Sequence, residues 1–465
     1  MLPSAAELVA RFLRSSGYDE TLNSFILEAG LPSDVGSDAT NPVTIETILE
    51  EKKAFDTSLI FEKLGLNDKD RKWSARAPAL PVILSSLPSR SNILSVSVLE
   101  LSLAAASPSR KFVAITTADR KLHLLNPTSP TYEVAHTYSS FQDSPILDVL
   151  AIDPHHILVA SMSGKLVLYN TVKDKVVGER KDHTKYVVKL ASRSEGDTLW
   201  VASAGWDAKV FLYKIGGSDV QLSEPTAVLP LPSIPETLAF VASPDDGTPV
   251  LLVARRDSTF LHFYTMPRRG SESLTLLGRQ NLAPHSNAWV SFTPADVQVC
   301  PTDPSIAAIA TSTTPHMKLL VVKLLIPTKQ SSLVDANPVP GPNGTVTQAS
   351  QARAELLVQD REEKAILVNV STLAPQTHYS TPRLVWRPDG TGVYVSSDDG
   401  VVRGIETATG KLVATLEGHQ HGSKLRCLWA GKIQASQAAS SHMTPQESEF
   451  LISGGFDQQL ILWHA

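Results

Sequence analysis

The chain has 465 residues, 42% apolar and 19% charged, with 31 prolines, 25 glycines and a formal net charge of −5. That length suits two or three domains, or one large all-β domain with an appendage, and the Pro and Gly content implies many turns. The totals carry no nucleic-acid signature, and no run approaches the roughly 18 apolar residues of a membrane helix. Cys300 and Cys427 both sit in apolar runs and read as buried, reduced thiols; two cysteines cannot build a disulfide framework or a four-ligand zinc cluster. The start, MLPSAAELVARFLR, lacks the pattern of a signal peptide, which points to a cytoplasmic or nuclear protein. The basic pairs Arg255-Arg256 and Arg268-Arg269 read as solvated turns.

Residues 5 to about 70 read as helical. Leu8, Val9, Phe12 and Leu13 fall on one helix face; Gly17 is placed to end that helix and Asp19 to cap the next. The second carries Leu22, Phe25, Ile26 and Ala29 and stops at Gly30. A Pro/Ser/Asp/Gly linker, Ser33 to Pro42, leads to a third helical stretch, Thr44 to Leu64. Two helices in fewer than 30 residues bury too little to stand alone, so their apolar face meets either a second copy or the rest of its own chain. Glu7 to Leu31, "ELVARFLRSSGYDETLNSFILEAGL", resembles a LisH motif in its apolar pair, Phe-Leu, Gly-Tyr, Thr-Leu, Phe and closing Gly-Leu. The resemblance implies homodimerisation within residues 1–33 through Leu8, Val9, Phe12, Leu13, Tyr18, Leu22, Phe25 and Ile26. Residues 34–78 are then a linker and helical spacer.

From about residue 80 the pattern becomes short alternating runs between turns, an all-β array. The runs repeat: "SAGWDAKVFLYKI" (Ser203 to Ile215) aligns without a gap on "SGGFDQQLILWHA" (Ser453 to Ala465). Weaker copies are "TTADRKLHLLNP", "SMSGKLVLYNT", "RRDSTFLHFYT" and "SSDDGVVRGIE". These units resemble WD40 repeats, which implies a seven-bladed β-propeller over residues 79–465. The units run roughly 92–140, 141–184, 185–233, 234–290, 291–375, 376–420 and 421–465. The fifth is swollen by a flexible insert (327–352) and the last by a polar insert (434–449). An apolar strand at a chain end is a sticky edge. "PVILSS", Pro81 to Ser86, is the candidate to cover it and close the ring (79–91).

The same resemblance implies a structural hydrogen-bonded set in two blades: His183, Ser203, Asp207 and Tyr213 in the third, His419, Ser453, Asp457 and Trp463 in the seventh. Asp119 and Asp399 lack a matching aromatic, so their blades are expected to hold by packing. A Ser-His-Asp set also invites a hydrolase reading, but neither serine lies on a Gly-x-Ser-x-Gly elbow, and no catalytic residue is assigned. No Walker loop, His-Glu-x-x-His or Cys-x-x-Cys occurs, and neither His155-His156 nor His419/His421 is read as a metal site, so no metal or cofactor is expected.

In WD40 proteins the residue before the turn Asp faces a partner-gripping end of the ring. Here those positions are Trp206 and Phe456, with Ala118 and Asp398 in weaker units, and Arg255 and Arg256 nearby. Each aromatic ring either meets a partner or folds onto a neighbouring blade. The expectation is a non-enzymatic homodimeric scaffold binding proteins or peptides, with no direct nucleic-acid or membrane contact. Alternatives are a corepressor or ubiquitin-ligase subunit and, more remotely, an enzyme using the propeller funnel.

Overall fold

The computed structural model describes residues 4–37, 44–47, 72–73, 75–84, 87–88, 90–104, 107–129, 131–216, 220–267, 273–285, 292–328, 348–434 and 447–464. The chain divides into two compact units, Met1–Asp68 and Lys69–Ala465.

The first unit is a helical hairpin, α1 (Ala5–Ser15) and α2 (Asp19–Ala29). A capping box starts α1: Glu7 N–H donates to Ser4 Oγ, and the Ser4 amide donates back to Glu7 Oε2 at 2.6 Å. Gly17 and Gly30 both take left-handed backbone, φ +73° and +63°, the second as the cap of α2. Asp19 is not the cap expected of it. Tyr18 holds that position without a side-chain bond, and Asp19 is the first helical residue, where its charge still complements the helix dipole. Ala10, Leu22 and Val35 form the hairpin core, with Leu13, Phe25, Ile26 and Leu31 packed against it. Val35 belongs to the stretch read as linker. Its fold-back is pinned by Arg14, which donates to the carbonyls of Ser33 and Val35 at 3.1 and 3.2 Å. Apart from Thr44–Thr47, the third helical stretch lies outside the described residues.

The second unit is a propeller of seven four-stranded antiparallel sheets. Blades one to six span Ile93–Tyr138, Ile146–Arg180, Val187–Pro230, Pro235–Asn281, Pro294–Pro375 and Leu384–Glu417. The first strand of each blade touches the first strand of the next, and that of blade seven returns to blade one, so the ring is closed. Second and third strands are buried almost throughout, as in His156–Ser161 and Leu166–Asn170. These apolar, β-branched-rich runs suit a sheet covered on both faces. Outer strands such as Lys175–Arg180 are largely exposed. The apolar core lies between blades: Phe112 and Leu124 of blade one pack with Ile146, Val159 and Tyr169 of blade two.

Blade seven takes three strands from the end of the chain, Leu425–Gln434, Glu447–Gly455 and Leu460–His464, and its fourth from Leu80–Ile83. Pro81 faces Trp463 and Ile83 faces Ile461. Just before this strand, Trp73 lies edge-on to Tyr394 at 5.5 Å and under the Arg387 guanidinium at 4.4 Å. A Cβ on Gly392 or Gly404 would come within 2.3 or 2.6 Å of the ring, so both positions need glycine. Arg387 is fully buried and paired with Glu449 at 2.5 Å, joining blade six to blade seven. Two inserts differ from expectation. Residues 348–365 form a helix, α3 (Gln348–Ala365), because the run after the Pro/Gly-rich stretch is dominated by Ala, Glu, Gln and Arg. Glu447 to Glu449, read as part of a polar insert, belong to a strand, and Glu449 is polar because it neutralises Arg387. Among the described residues no helix is long and apolar enough to cross a membrane.

Candidate functional site

One stitch recurs around the ring and sets all the blade turns at one end. In all seven blades, Ser396 to Arg383 in blade six included, the residue following the second strand donates its amide to the residue preceding the first. Trp206 bonds Tyr186 at 2.9 Å, Phe456 bonds Lys424 at 3.1 Å, and Ala118, Met162, Arg256 and Ser312 repeat the pattern. Beyond it the chain turns through left-handed backbone, at Ala208 (φ +58°) and Gln458 (φ +63°) and again at Gly164 and Gly400. At Gly164 a Cβ would strike the His183 carbonyl at 2.4 Å.

Beneath these turns lie the two polar sets. In blade seven, His419 Nδ1 is 2.8 Å from Asp457, His419 Nε2 is 2.7 Å from Ser453 Oγ, and Trp463 Nε1 donates to Ser453 at 2.8 Å. With a neutral imidazole one proton order satisfies every group: indole to hydroxyl, hydroxyl to Nε2, Nδ1–H to carboxylate. Asp457 also accepts from the amides of Gln420 and Gln459. Burial would raise its pKa, but these donors together hold it below the ordinary carboxylate value. In blade three, His183 bonds Asp207 at 2.9 Å and Ser203 at 2.8 Å. Burial lowers the His183 pKa, with Asp207 opposing. The Tyr213 hydroxyl is engaged by Ser203, as expected, and reaches beyond the set as well: it donates to Asp182 at 3.0 Å, and Arg180 donates to Asp182 at 2.7 and 2.8 Å. A phenol reaches further than an indole N–H and is both donor and acceptor, so it can donate to the carboxylate while staying bonded to the serine. Both serines are fully buried, so neither is open to a substrate.

The other blades are not held by packing alone. Asp399 pairs with Arg403 at 2.6 Å and accepts from Ser397, and Asp119 pairs with Lys121 at 2.8 Å. His156 is held by Asp153 and Asn170, each 2.8 Å away. No group of three metal-ligating side chains occurs among the described residues. Cys300 and Cys427 are both buried, and burial pushes the Cys427 thiol up to about 12.

Above the polar sets the turn surface is aromatic and cationic. Trp206, 36% exposed, stacks on Tyr186 with centroids 5.3 Å apart, and Arg256 covers its ring at 5.3 Å. Arg256 is held there by Glu236 at 2.6 Å, and Arg255 donates to Ser233 at 3.0 Å. The Arg255-Arg256 pair is therefore half-buried and engaged, not a solvated turn. Phe456 is 45% exposed and packs on no other aromatic ring among the described residues. Asp398 is taken up internally, by Lys424 at 3.0 Å and Ser380 at 2.5 Å, which makes it a brace between blades six and seven. Sequence reasoning missed Tyr186, Glu236 and Asp182. Tyr186 and Asp182 lie in "KDHTKY", just before the third unit's first strand, and that adjacency was their available signal.

In the hairpin, Leu8, Val9, Phe12, Leu13, Phe25 and Ile26 are partly covered, and Tyr18 is exposed. Leu22 is buried within the hairpin itself, so it serves the local core and not an open face.

A family model described as UCP007778, beta-propeller domain, matches residues 91–441. No curated protein matches the chain.

Proposed function

The chain belongs to this β-propeller family, and from that premise we propose that it is a non-enzymatic, homodimeric scaffold of the WD40 type that presents its turn face to partner proteins. The observation that carries the reading is the Tyr186–Trp206–Arg256 stack, an exposed aromatic surface braced by a salt-bridged arginine. Stacked rings with an arginine rim match the composition of binding hot spots, and such a cation–π contact contributes about 0.5–1 kcal/mol at an exposed site. Dimerisation is proposed for the LisH-like hairpin: Tyr18 is 54% and Leu27 is 83% exposed on a unit whose own core has three buried residues. Two weak propeller sites carried by one dimer would gain avidity. Two buried free thiols suit the reducing cytoplasm or nucleus.

Light scattering on the full chain and on a chain lacking residues 1–35 tests the dimer: the mass should halve while the propeller keeps its circular dichroism. An unchanged mass would remove that half of the reading. For the turn face, replacing Trp206 and Phe456 with Ala should abolish capture of partners retained by the unaltered chain and leave the melting temperature nearly unchanged. A large fall in melting temperature would make both rings core residues.

A further inference from the structure

The inner strands carry a second repeating feature, absent from any linear motif. In six of the seven, one extra residue is bulged out opposite a single residue of the neighbouring strand: Leu94, Leu147, Val188, Glu236, Ala295 and Arg426. A bulge re-aims a side chain without breaking the sheet. All six are only half-buried, although the strands that carry them are core. Leu94, Leu147, Val188 and Arg426 line one cavity of about 90 Å³ at the centre of the ring, together with Arg383 of blade six. The arc of blades one to three contributes the apolar side chains Leu94, Leu147 and Val188 with Asp148 and Lys189 among them; the arc of blades six and seven contributes the cations Arg383 and Arg426.

The charges in this cavity do not balance. Asp148 accepts the Leu190 amide at 2.8 Å and lies 3.7 Å from Lys189. Asp296 accepts the Leu384 amide at 3.1 Å and lies 3.9 Å from Arg383. Glu236 is engaged by Arg256. Arg426 has no hydrogen bond or ion pair with any described residue. Burial, and then its neighbour Arg383, pulls its guanidinium down to about 10, so the folded chain holds this cation at a cost. A half-buried arginine without an acceptor offers a two-pronged donor to whatever enters.

We propose that Arg426, with Arg383 beside it, receives the carboxylate of an acidic residue in a partner peptide, whose neighbouring apolar side chain lies against Leu94, Leu147 and Val188. This rests on the partner-binding reading above and names the chemistry of the partner. A carboxylate fits better than a phosphate, because Asp148 and Asp296 also line the cavity and would repel a doubly charged group more strongly. Glu236 links the two regions: it braces Arg256 on the Trp206 stack and also acts on Arg426 across the mouth. A peptide lying on the aromatic stack is thereby led to the cationic arc.

The test is selection from a displayed library of random short peptides on the full chain, with affinities of the recovered peptides measured by fluorescence anisotropy. The recovered set should be enriched in Asp or Glu next to an aliphatic residue, and Arg426→Ala should weaken binding roughly tenfold or more, as expected for loss of a charge-assisted bond. Arg426→Glu should turn the selected set towards Lys and Arg. Because Arg426 bonds nothing internally and is held at a cost, Arg426→Ala should melt at or above the parental temperature, which is measured alongside for both variants. Peptides without acidic residues, or displaced by inorganic phosphate alone, would overturn the proposal. So would peptides that need Trp206 but are indifferent to Arg426, in which case the turn-face reading survives; failure to recover any peptide would overturn both.

Discussion

Blades three and seven carry the same serine, histidine and aspartate at the same spacing, yet they end their hydrogen-bond chains in different ways. In blade seven Trp463 donates inward to Ser453, and the set is sealed, with indole and serine both fully buried. In blade three the Tyr213 phenol points on to Asp182, which is bound to Arg180 at the end of blade two's outer strand. One aromatic closes a circuit; the other extends it into the neighbouring blade. The difference teaches that a repeat can keep its polar core while changing what that core is tied to.

The most damaging way to break the comparison is Asp457→Ala. It strips the acceptor from His419 and from the amides of Gln420 and Gln459 at a fully buried site, and should cost about 3–5 kcal/mol in urea unfolding. Next come the aromatics. Trp463→Phe leaves Ser453 short of a donor and shrinks a filled core site, and should cost about 2–4 kcal/mol. Tyr213→Phe should cost only about 0.5–1.5 kcal/mol, since Asp182 keeps Arg180. Equal losses in the two variants would mean that the two chains end alike after all.

The smallest effect is in pH. The His183 pKa is lowered in the folded state, so below the ordinary imidazole value of 6.5 the unfolded chain binds the extra proton. Stability contributed by blade three is present above 6.5 and declines as pH falls from there towards the lowered folded value. Asp457 is likewise lowered, but from 3.8, so the contribution of blade seven is lost only in the acid carboxylate range. His123 and His262 shift in the same direction as His183, so the measurement is the difference between the unaltered chain and His183→Gln across the mildly acidic range. If the two proteins lose stability in parallel there, His183 does not titrate as argued.

What the sequence made legible was periodic. The gapless match of Ser203–Ile215 to the chain's end exposed the blade, and counting its copies led to seven sheets, six of them each within one repeat unit and the seventh completed by Leu80–Ile83. Side chains whose meaning depends on a distant partner were not legible. Glu449 looks like any acid in a polar stretch until Arg387, 62 residues earlier, is placed beside it. Arg426 sits between two apolar residues and follows no pattern in its own unit; only the bulge, a relation between two strands, brings it to the cavity. Trp206 illustrates an intermediate case, since its turn position was readable but its stacking on Tyr186 and Arg256 was not.

The closing strand has a mechanical side. A chain pulled from its N-terminal segment would load the Leu80–Ile83 strand against Leu460–His464, a short clasp with one face exposed. Before tension reaches that clasp it meets Trp73, seated on two glycines and covered by Arg387, with its amide bonded to Glu406 at 2.9 Å. The tryptophan works as a cable anchor does. It takes the tug on the tether, so that the fastening that keeps the ring shut does not have to.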